Sequence, residues 1–138
     1  MPSGKRHYQL TIDDALRCHD DALTRGGVPG FISRGNVESA VQRPYSGYYP
    51  TMAQKCAALT ESICRNHGFT DGNKRTCLLL VYVLLDRSGY KLVAIGGEDK
   101  NTALEELIVR TAEGALTYAE ILAWYRWRLV QNRQAKRK

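Results

Sequence analysis

The longest apolar run in the chain, CLLLVYVLL at positions 77–85, constrains the fold more than any other segment. Nine residues are too few to span a membrane as a helix, which takes about 20. Helix signals on both sides predict a helix that begins at Asn73 or Lys74, runs to Arg87 and is ended by Gly89. A helix that is apolar on every side has to be enclosed by other helices. The sequence therefore predicts an all-α bundle around a buried central helix.

Local patterns predict the rest of this bundle. Thr11 and Thr117 each open a stretch that resembles a capping box. Apolar or small residues at positions 53, 56, 57, 60, 63 and 64 follow the spacing of an amphipathic helix. The first predicted helix begins at residue 11 and is ended by the glycine pair 26–27. Further helices are predicted over residues 36–42, 51–66, 102–113 and 117–131. Residues 90–95 are predicted to form a short strand, and RPYSGYYP at 43–50 an extended segment or loose hairpin.

The composition indicates one ordinary globular domain over residues 1–138, with 43% hydrophobic and 25% charged residues. The amino terminus has no apolar segment typical of a signal peptide, so we expect a cytoplasmic protein with no membrane partner. Its four cysteines form no CxxC pair and no zinc-like spacing with histidine, so we interpret them as buried structural thiols.

The net charge of +6 comes from one end of the chain. Residues 126–138 contain six basic residues and no acidic ones, whereas the remainder carries 14 basic and 14 acidic residues. This pattern is typical of a solvated basic tail rather than of a basic face. We therefore expect no specific nucleic-acid partner.

The polar segment NHGFTDGNKRT, residues 66–76, directly precedes the apolar run. It places Gly72 at the predicted start of the central helix, where unpaired backbone N–H groups and the positive end of the helix dipole favour anions. Gly72 allows a phosphate to approach the backbone closely, and Lys74 and Arg75 add positive charge beside it. The spacing excludes a P-loop, because Arg75 occupies the position of its Ser or Thr. The segment predicts a phosphate-binding helix start.

The same segment supplies two groups that phosphate binding alone does not need. Asp71 is suited to hold Mg²⁺, which commonly joins one carboxylate to substrate phosphates. His67, at the end of the preceding helix, is suited to accept a proton from a hydroxyl group. Taken singly, His67 could instead interact with the helix dipole and Asp71 could form an ordinary turn. Their combination predicts transfer of a phosphorus group from a nucleotide.

HGFTDGNKRT resembles the signature of the Fic/Doc family, HxFx[DE]GN[GK]R. The matching residues are His67, Phe69, Asp71, Gly72, Asn73, Lys74 and Arg75. Residues 27–44 and 111–126 are similar to the segments around that motif in the death-on-curing (Doc) branch, so the resemblance covers nearly the whole chain. It implies a Fic/Doc-type helical bundle with a short extended flap, which we assign to residues 43–50.

The resemblance also implies roles for these residues. His67, Asp71, Asn73, Lys74 and Arg75 would be catalytic, Gly72, Asn73, Lys74 and Arg75 would bind ATP, and Asp71 would hold Mg²⁺. AMP-transferring Fic proteins usually have glycine at position 74 and arginine at position 78, where this chain has Lys74 and Leu78. The Doc branch shares these differences. The expected activity is therefore transfer of the ATP γ-phosphoryl group to a hydroxyl of a translation factor, with elongation factor Tu as the family precedent.

A Doc-like toxin implies a Phd-type antitoxin whose C-terminal segment folds on the toxin. Residues 102–106 come closest to the self-inhibitory motif of Fic enzymes, but Leu107 replaces its final Gly or Asn, so we expect no self-inhibition. Two alternatives remain open. The chain could be a Fic-type AMP or other nucleotidyl transferase, for which Lys74 and Leu78 are unfavourable. It could also be an inactive binding module, for which the intact His67, Asp71 and Asn73 are unfavourable.

Overall fold

Six α-helices and two short strands make up the part of the chain that the computed structural model describes, residues 6–132. In chain order they are α1 (Ile12–Leu23), α2 (Arg34–Gln42), a 3-10 helix (Arg43–Tyr45), α3 (Met52–Asn66), α4 (Asn73–Ser88), β1 (Tyr90–Leu92), α5 (Lys100–Ala112), α6 (Tyr118–Arg128) and β2 (Leu129–Gln131). The predominance of helix confirms the predicted all-α fold.

Side-chain caps explain where most of these helices begin. An oxygen of the N-cap side chain accepts a hydrogen bond from the first turn in five helices, which leaves fewer helix N–H groups without a partner. The five capping residues are Thr11, Ser33, Thr51, Asp99 and Thr117. The capping boxes predicted at Thr11 and Thr117 are both present. Helix α4 is the exception among the six α-helices of residues 6–132, because its N-cap is Gly72.

Helix α4 is the central helix, as predicted. It packs against α1, α3 and α5, and Leu80, Val81 and Leu84 are fully buried. Its enclosure is incomplete, since Leu78 and Leu79 are only half-buried. Helix α3 also packs against α6, where the fully buried Tyr125 shares a 2.6 Å hydrogen bond with Thr60. Within residues 6–132, no helix is both long and apolar enough to cross a membrane.

All four cysteines are buried and free, which agrees with their interpretation as structural thiols. A hydrogen bond with Cys64, together with burial, raises the pKa of Cys77 well above its ordinary value. Burial raises the pKa of Cys18 to about 11. The thiols of Cys18 and Cys77 therefore stay protonated at neutral pH and are poor nucleophiles.

The prediction of an extended flap or hairpin at residues 43–50 is wrong. The segment begins with the 3-10 helix and continues as bends, so no strand forms there. Arg43 explains this conformation, because its guanidinium donates hydrogen bonds to the Tyr49 hydroxyl (3.0 Å) and to Glu61 of α3 (2.9 Å). The ammonium of Lys55 also donates to the Tyr49 carbonyl at 2.7 Å. These bonds fold the segment back onto α3.

The helix predicted over residues 117–131 is three residues too long. Helix α6 ends at Arg128, and residues 129–131 form β2, antiparallel to β1. The N–H of Val93 donates to the Arg128 carbonyl at 2.8 Å, and the N–H of Asn132 to the Gly89 carbonyl at 2.8 Å. The strand predicted at 90–95 is present but shorter, as β1. Residues 133–138 of the predicted basic tail lie outside the described residues.

Candidate active site

The predicted site residues lie on one loop and the first turn of one helix, between the end of α3 and the start of α4. His67 is the C-cap of α3 in the left-handed conformation, with φ 50° and ψ 50°. No other non-glycine residue of positions 6–132 has a positive φ. This conformation turns the chain sharply away from α3. The His67 side chain is exposed and lines a cavity of about 530 Å³.

The cavity has one polar and one apolar side. Its polar side is formed by the loop and the first turn of α4, namely His67, Thr70, Asp71, Gly72, Asn73, Lys74 and Arg75. Its apolar side is formed by Cys64, Leu78, Ile108, Val109 and Ala112. The structure thus brings every sequence-predicted site residue to a single opening. Such a combination of apolar wall and polar groups is typical of a small-molecule site.

Helix α5 contributes to the cavity in a way that the sequence does not indicate. This helix supplies three apolar residues of the wall and one acidic residue, Glu105. Residues 102–113 were predicted to be helical, but one sequence carries no signal for which residues of that helix face the loop 30 positions earlier. Glu105 gives the cavity a negative group opposite in sign to Lys74 and Arg75.

The backbone at the start of α4 leaves donors free in this cavity. Gly72 has φ 80°, a conformation that glycine adopts easily, and it provides no side-chain cap. The N–H groups of Asn73, Lys74 and Arg75 have no hydrogen-bond acceptor within residues 6–132. Helix starts with free N–H groups bind anions through these donors and the helix dipole. This geometry is compatible with the predicted phosphate site, which stays a prediction.

Two cations flank these free donors. Lys74 is exposed and Arg75 is half-buried, and both line the cavity. Among the described residues neither forms an ion pair, whereas Arg43, Arg65 and Arg128 each pair with a glutamate. Leu78, one turn further along α4, adds no positive charge to the wall. The cavity can therefore attract a polyanion with Lys74 and Arg75.

The carboxylate of Asp71 is held at the rim of the cavity by two backbone donors. Its Oδ1 accepts from the N–H of Gly72 at 2.9 Å, and its Oδ2 accepts from the N–H of Val28 at 3.2 Å. The side chain remains exposed, so each oxygen keeps lone pairs that can face the cavity. One fixed, accessible carboxylate beside a phosphate site is the donor set that Mg²⁺ uses with nucleotides. Asp71 therefore fits the predicted metal role.

The side chain of Asn73 closes the loop on itself. Its Nδ2 donates to the Phe69 carbonyl at 2.9 Å, and its Oδ1 accepts from the Phe69 N–H at 3.1 Å. These two hydrogen bonds fix the position of α4 relative to the loop. One amide hydrogen is left for a ligand, so the geometry favours a positioning role for Asn73 over a purely ligand-binding one.

A second layer of residues supports the loop from behind. Phe69 is 1% exposed, which agrees with the interpretation that it anchors the loop in the core. Its ring stacks on His19 of α1 at a centroid distance of 3.7 Å and on Phe31 at 5.3 Å. The segment around Phe31 lies alongside the loop, with the N–H of Thr70 donating to the Gly30 carbonyl at 3.0 Å. The sequence did not predict the contact of His19 or of this segment with the loop, because both contacts join distant parts of the chain.

Comparison with known proteins agrees with this geometry. The sequence profile of the Fic/DOC family matches residues 9–85, a range that includes α1 to α3, the active-site loop and most of α4. The chain belongs to the Fic/DOC family. It is 38% identical over 85 residues to the protein named Toxin Doc of Mycolicibacterium smegmatis (strain ATCC 700084 / mc(2)155). That alignment covers 54% of this chain and 65% of the toxin, so the chain spans less than two thirds of its relative.

Proposed function

We propose that this protein is the toxin of a toxin–antitoxin pair and acts as a protein kinase. In this proposal it transfers the γ-phosphoryl group of ATP to a hydroxyl of a translation factor, with elongation factor Tu as the first candidate. The observation that carries the proposal is the uncapped start of α4, whose free N–H groups share one cavity with His67 and Asp71. The match to Toxin Doc supports the toxin role.

The chemistry follows from these positions. An acceptor hydroxyl next to the exposed His67 gives its proton to the imidazole as its oxygen forms a bond to the γ-phosphorus. The bond between the γ-phosphorus and the bridging oxygen breaks, and ADP leaves. The free N–H groups of α4, with Lys74 and Arg75, stabilise the negative charge on the phosphates. Asp71 would hold Mg²⁺, whose charge offsets that of the phosphates when it is bound.

The identity of residue 78 favours γ- over α-phosphoryl transfer. Leu78 lines the cavity one turn beyond Lys74, so this part of the wall is apolar. A clamp on several phosphates, as an AMP-transferring enzyme needs, would require a further cation near this position. Lys74 and Arg75 supply charge only at the helix start. AMP transfer remains the alternative, and ATP labelled at the α- or the γ-phosphorus distinguishes the two reactions.

The segment at 28–33 is suited to hold the protein acceptor. Val28 is 57% exposed and Ile32 is 66% exposed, although both are apolar. The N–H groups of Ile32 and Ser33 donate to the Gly68 carbonyl at 2.9 and 3.0 Å, which places the segment beside the active-site loop. Exposed apolar side chains beside an active site are suited to contact a partner chain. We propose that the acceptor lies here.

A Phd-type antitoxin is the proposed partner. The support is the family membership and the relative's name, Toxin Doc. Such a partner would be a segment that is disordered alone and folds on the toxin. Co-purification of the neighbouring gene product with this chain, and loss of kinase activity in that complex, would test this part of the proposal.

One experiment tests the central proposal. Purified protein is incubated with Mg²⁺, a bacterial lysate and ATP labelled at either the α- or the γ-phosphorus. We expect label in protein from γ-labelled ATP only, and a loss of about 10²-fold or more with His67→Ala, since general bases contribute about 10² to 10⁴. Circular dichroism of the variant checks that its fold is unchanged. Transfer from α-labelled ATP, or equal transfer by His67→Ala, would contradict the proposal, as would no transfer by protein shown to be free of antitoxin.

A further inference from the structure

His19 is a buried histidine that contacts the active-site loop without reaching the cavity. It lies on α1, is 5% exposed, and is absent from the residues that line the cavity. Its Nε2 lies 2.8 Å from the carbonyl oxygen of Asp71. Since a carbonyl oxygen only accepts hydrogen bonds, Nε2 must carry the proton in this contact. His19 therefore donates to the backbone of the loop.

This hydrogen bond acts on the peptide unit that opens α4. The Asp71 carbonyl belongs to the same peptide plane as the Gly72 N–H, which donates to the Asp71 carboxylate at 2.9 Å. Fixing the carbonyl toward α1 therefore also fixes the direction of that N–H. The orientation of the Asp71 carboxylate is linked to this plane through the same bond.

Gly72 makes an external support necessary. Glycine has no side chain to restrict its backbone, so the φ of 80° at Gly72 has to be fixed by contacts with other residues. The ring of His19 lies against its α-carbon, because a Cβ built there would be 3.4 Å from Cδ2 and 3.5 Å from Nε2. The His19 ring is itself held by Phe69, since the two rings stack at a centroid distance of 3.7 Å with planes 8° apart.

We propose that His19 is a positioning residue for the phosphoryl transfer. Its Nε2–H holds the Asp71–Gly72 peptide so that the metal-binding carboxylate and the phosphate-binding N–H groups face the cavity together. This role rests on the proposed function. A purely structural histidine would act instead through its buried ring and its stacking on Phe69. The two roles separate because they depend on different atoms of one side chain.

Two substitutions test the hydrogen bond and the ring independently. His19→Phe keeps an aromatic ring against Phe69 but removes the donor. His19→Gln removes the ring but offers an amide N–H near the position of Nε2. We expect kcat to fall about 10²-fold in His19→Phe, because small displacements of catalytic groups have effects of that order. We expect His19→Gln to regain most of that loss, even where its melting temperature is lower. Cys18→Ala, which alters a buried neighbour on α1, should lower stability and leave kcat within about twofold.

A second measurement does not depend on kinase activity. In ¹⁵N-labelled protein, the amide resonances of Gly72 and Asn73 should shift in His19→Phe and stay close to wild type in His19→Gln. The affinity for Mg-ADP should be reduced in His19→Phe and close to that of the wild type in His19→Gln. An active wild type with unchanged kcat in His19→Phe would overturn the role of His19, and so would a His19→Gln variant that is folded but as inactive as His19→Phe. If the wild type transfers no phosphate, the proposed function fails, whereas the amide resonances still decide whether His19 holds the loop.

Discussion

Gly68 lies where the active-site loop passes closest to α2. Its carbonyl accepts hydrogen bonds from the N–H groups of both Ile32 and Ser33. A Cβ built at this position would lie 2.4 Å from Cγ2 of Val37 and 3.0 Å from the Val37 backbone nitrogen. Val37 is 2% exposed and belongs to the core, so it has little room to move. The absence of a side chain at residue 68 is therefore what allows the loop to approach α2.

Gly68→Ala should destabilise the protein by about 1–3 kcal/mol, the usual range for an extra methyl group forced into a packed site. The free energy of unfolding in urea measures this effect. Gly97→Ala is the matched control, because a Cβ at Gly97 would have nothing within 4 Å and its φ is not in the left-handed region. Equal stability of the two variants would contradict the steric argument. We also expect lower transfer activity in Gly68→Ala, since the clash displaces the neighbouring His67.

At the scale of whole elements, the features that could be predicted from the sequence are those set by neighbours along the chain. The start of α1 and the start of α6 follow from capping boxes within four residues. The position of α4 follows from an apolar run between two glycines, Gly72 and Gly89, and both are left-handed caps. The candidate active-site loop could be predicted from its motif, because the residues of the motif are concentrated in nine consecutive positions.

The features that could not be predicted are those set by distant contacts. Residues 43–50 have the Pro, Gly and Tyr content of an extended segment, but hydrogen bonds from Arg43 to Tyr49 and Glu61 fold them back. Residues 129–131 continue a helical pattern, yet pairing with β1, about 40 positions earlier, makes them a strand. The α5 residues that line the cavity and the contact of His19 with the loop also depend on packing between elements. Tertiary pairing overrode local propensity in each case.

The segment at 28–33 gives a prediction at this scale. Ile32→Glu places a charge where we propose that the acceptor chain binds, so kcat/KM for the protein acceptor should fall by about tenfold or more. The affinity for Mg-ATP and the free energy of unfolding should hardly change, because the side chain is 66% exposed. Phosphorylation assays at varied acceptor concentration and calorimetric titration with nucleotide measure the two effects.

Ile95→Glu is the matched control for this substitution. Ile95 is also exposed, at 41%, and does not line the active-site cavity. Its variant should keep the kcat/KM of the wild type. A similar loss in both variants would point to a general effect of added negative charge, and no loss in Ile32→Glu would place the acceptor elsewhere.

For the molecule as a whole, the net charge of +6 says little about where an anion binds. Six of the basic residues lie in residues 126–138, and four of these six lie outside the described residues. The cavity is lined by two basic residues, Lys74 and Arg75, and two acidic ones, Asp71 and Glu105, so the charges of these four side chains cancel. We therefore expect nucleotide binding to depend on the free N–H groups of α4 and on a divalent cation as much as on the two basic side chains. This balance should make binding sensitive to Mg²⁺.

Nucleotide binding should stabilise the entire fold, because the cavity is built from α3, α4 and α5, which exist together only in the folded chain. At an ATP concentration 100 times the Kd, binding to the folded state alone adds about 2.7 kcal/mol. For a chain of this size that corresponds to a rise in Tm of roughly 10 °C. Thermal unfolding with Mg-ATP measures this shift, and chelation of Mg²⁺ by EDTA should reduce it.

The double variant Lys74→Ala/Arg75→Ala should lose most of the shift while keeping the Tm of the free protein. Lys91→Ala/Arg126→Ala removes the same charge from two exposed positions outside the cavity and should keep the shift. Equal shifts in the two double variants would mean that the nucleotide binds elsewhere, and no shift in the wild type would contradict ATP binding itself.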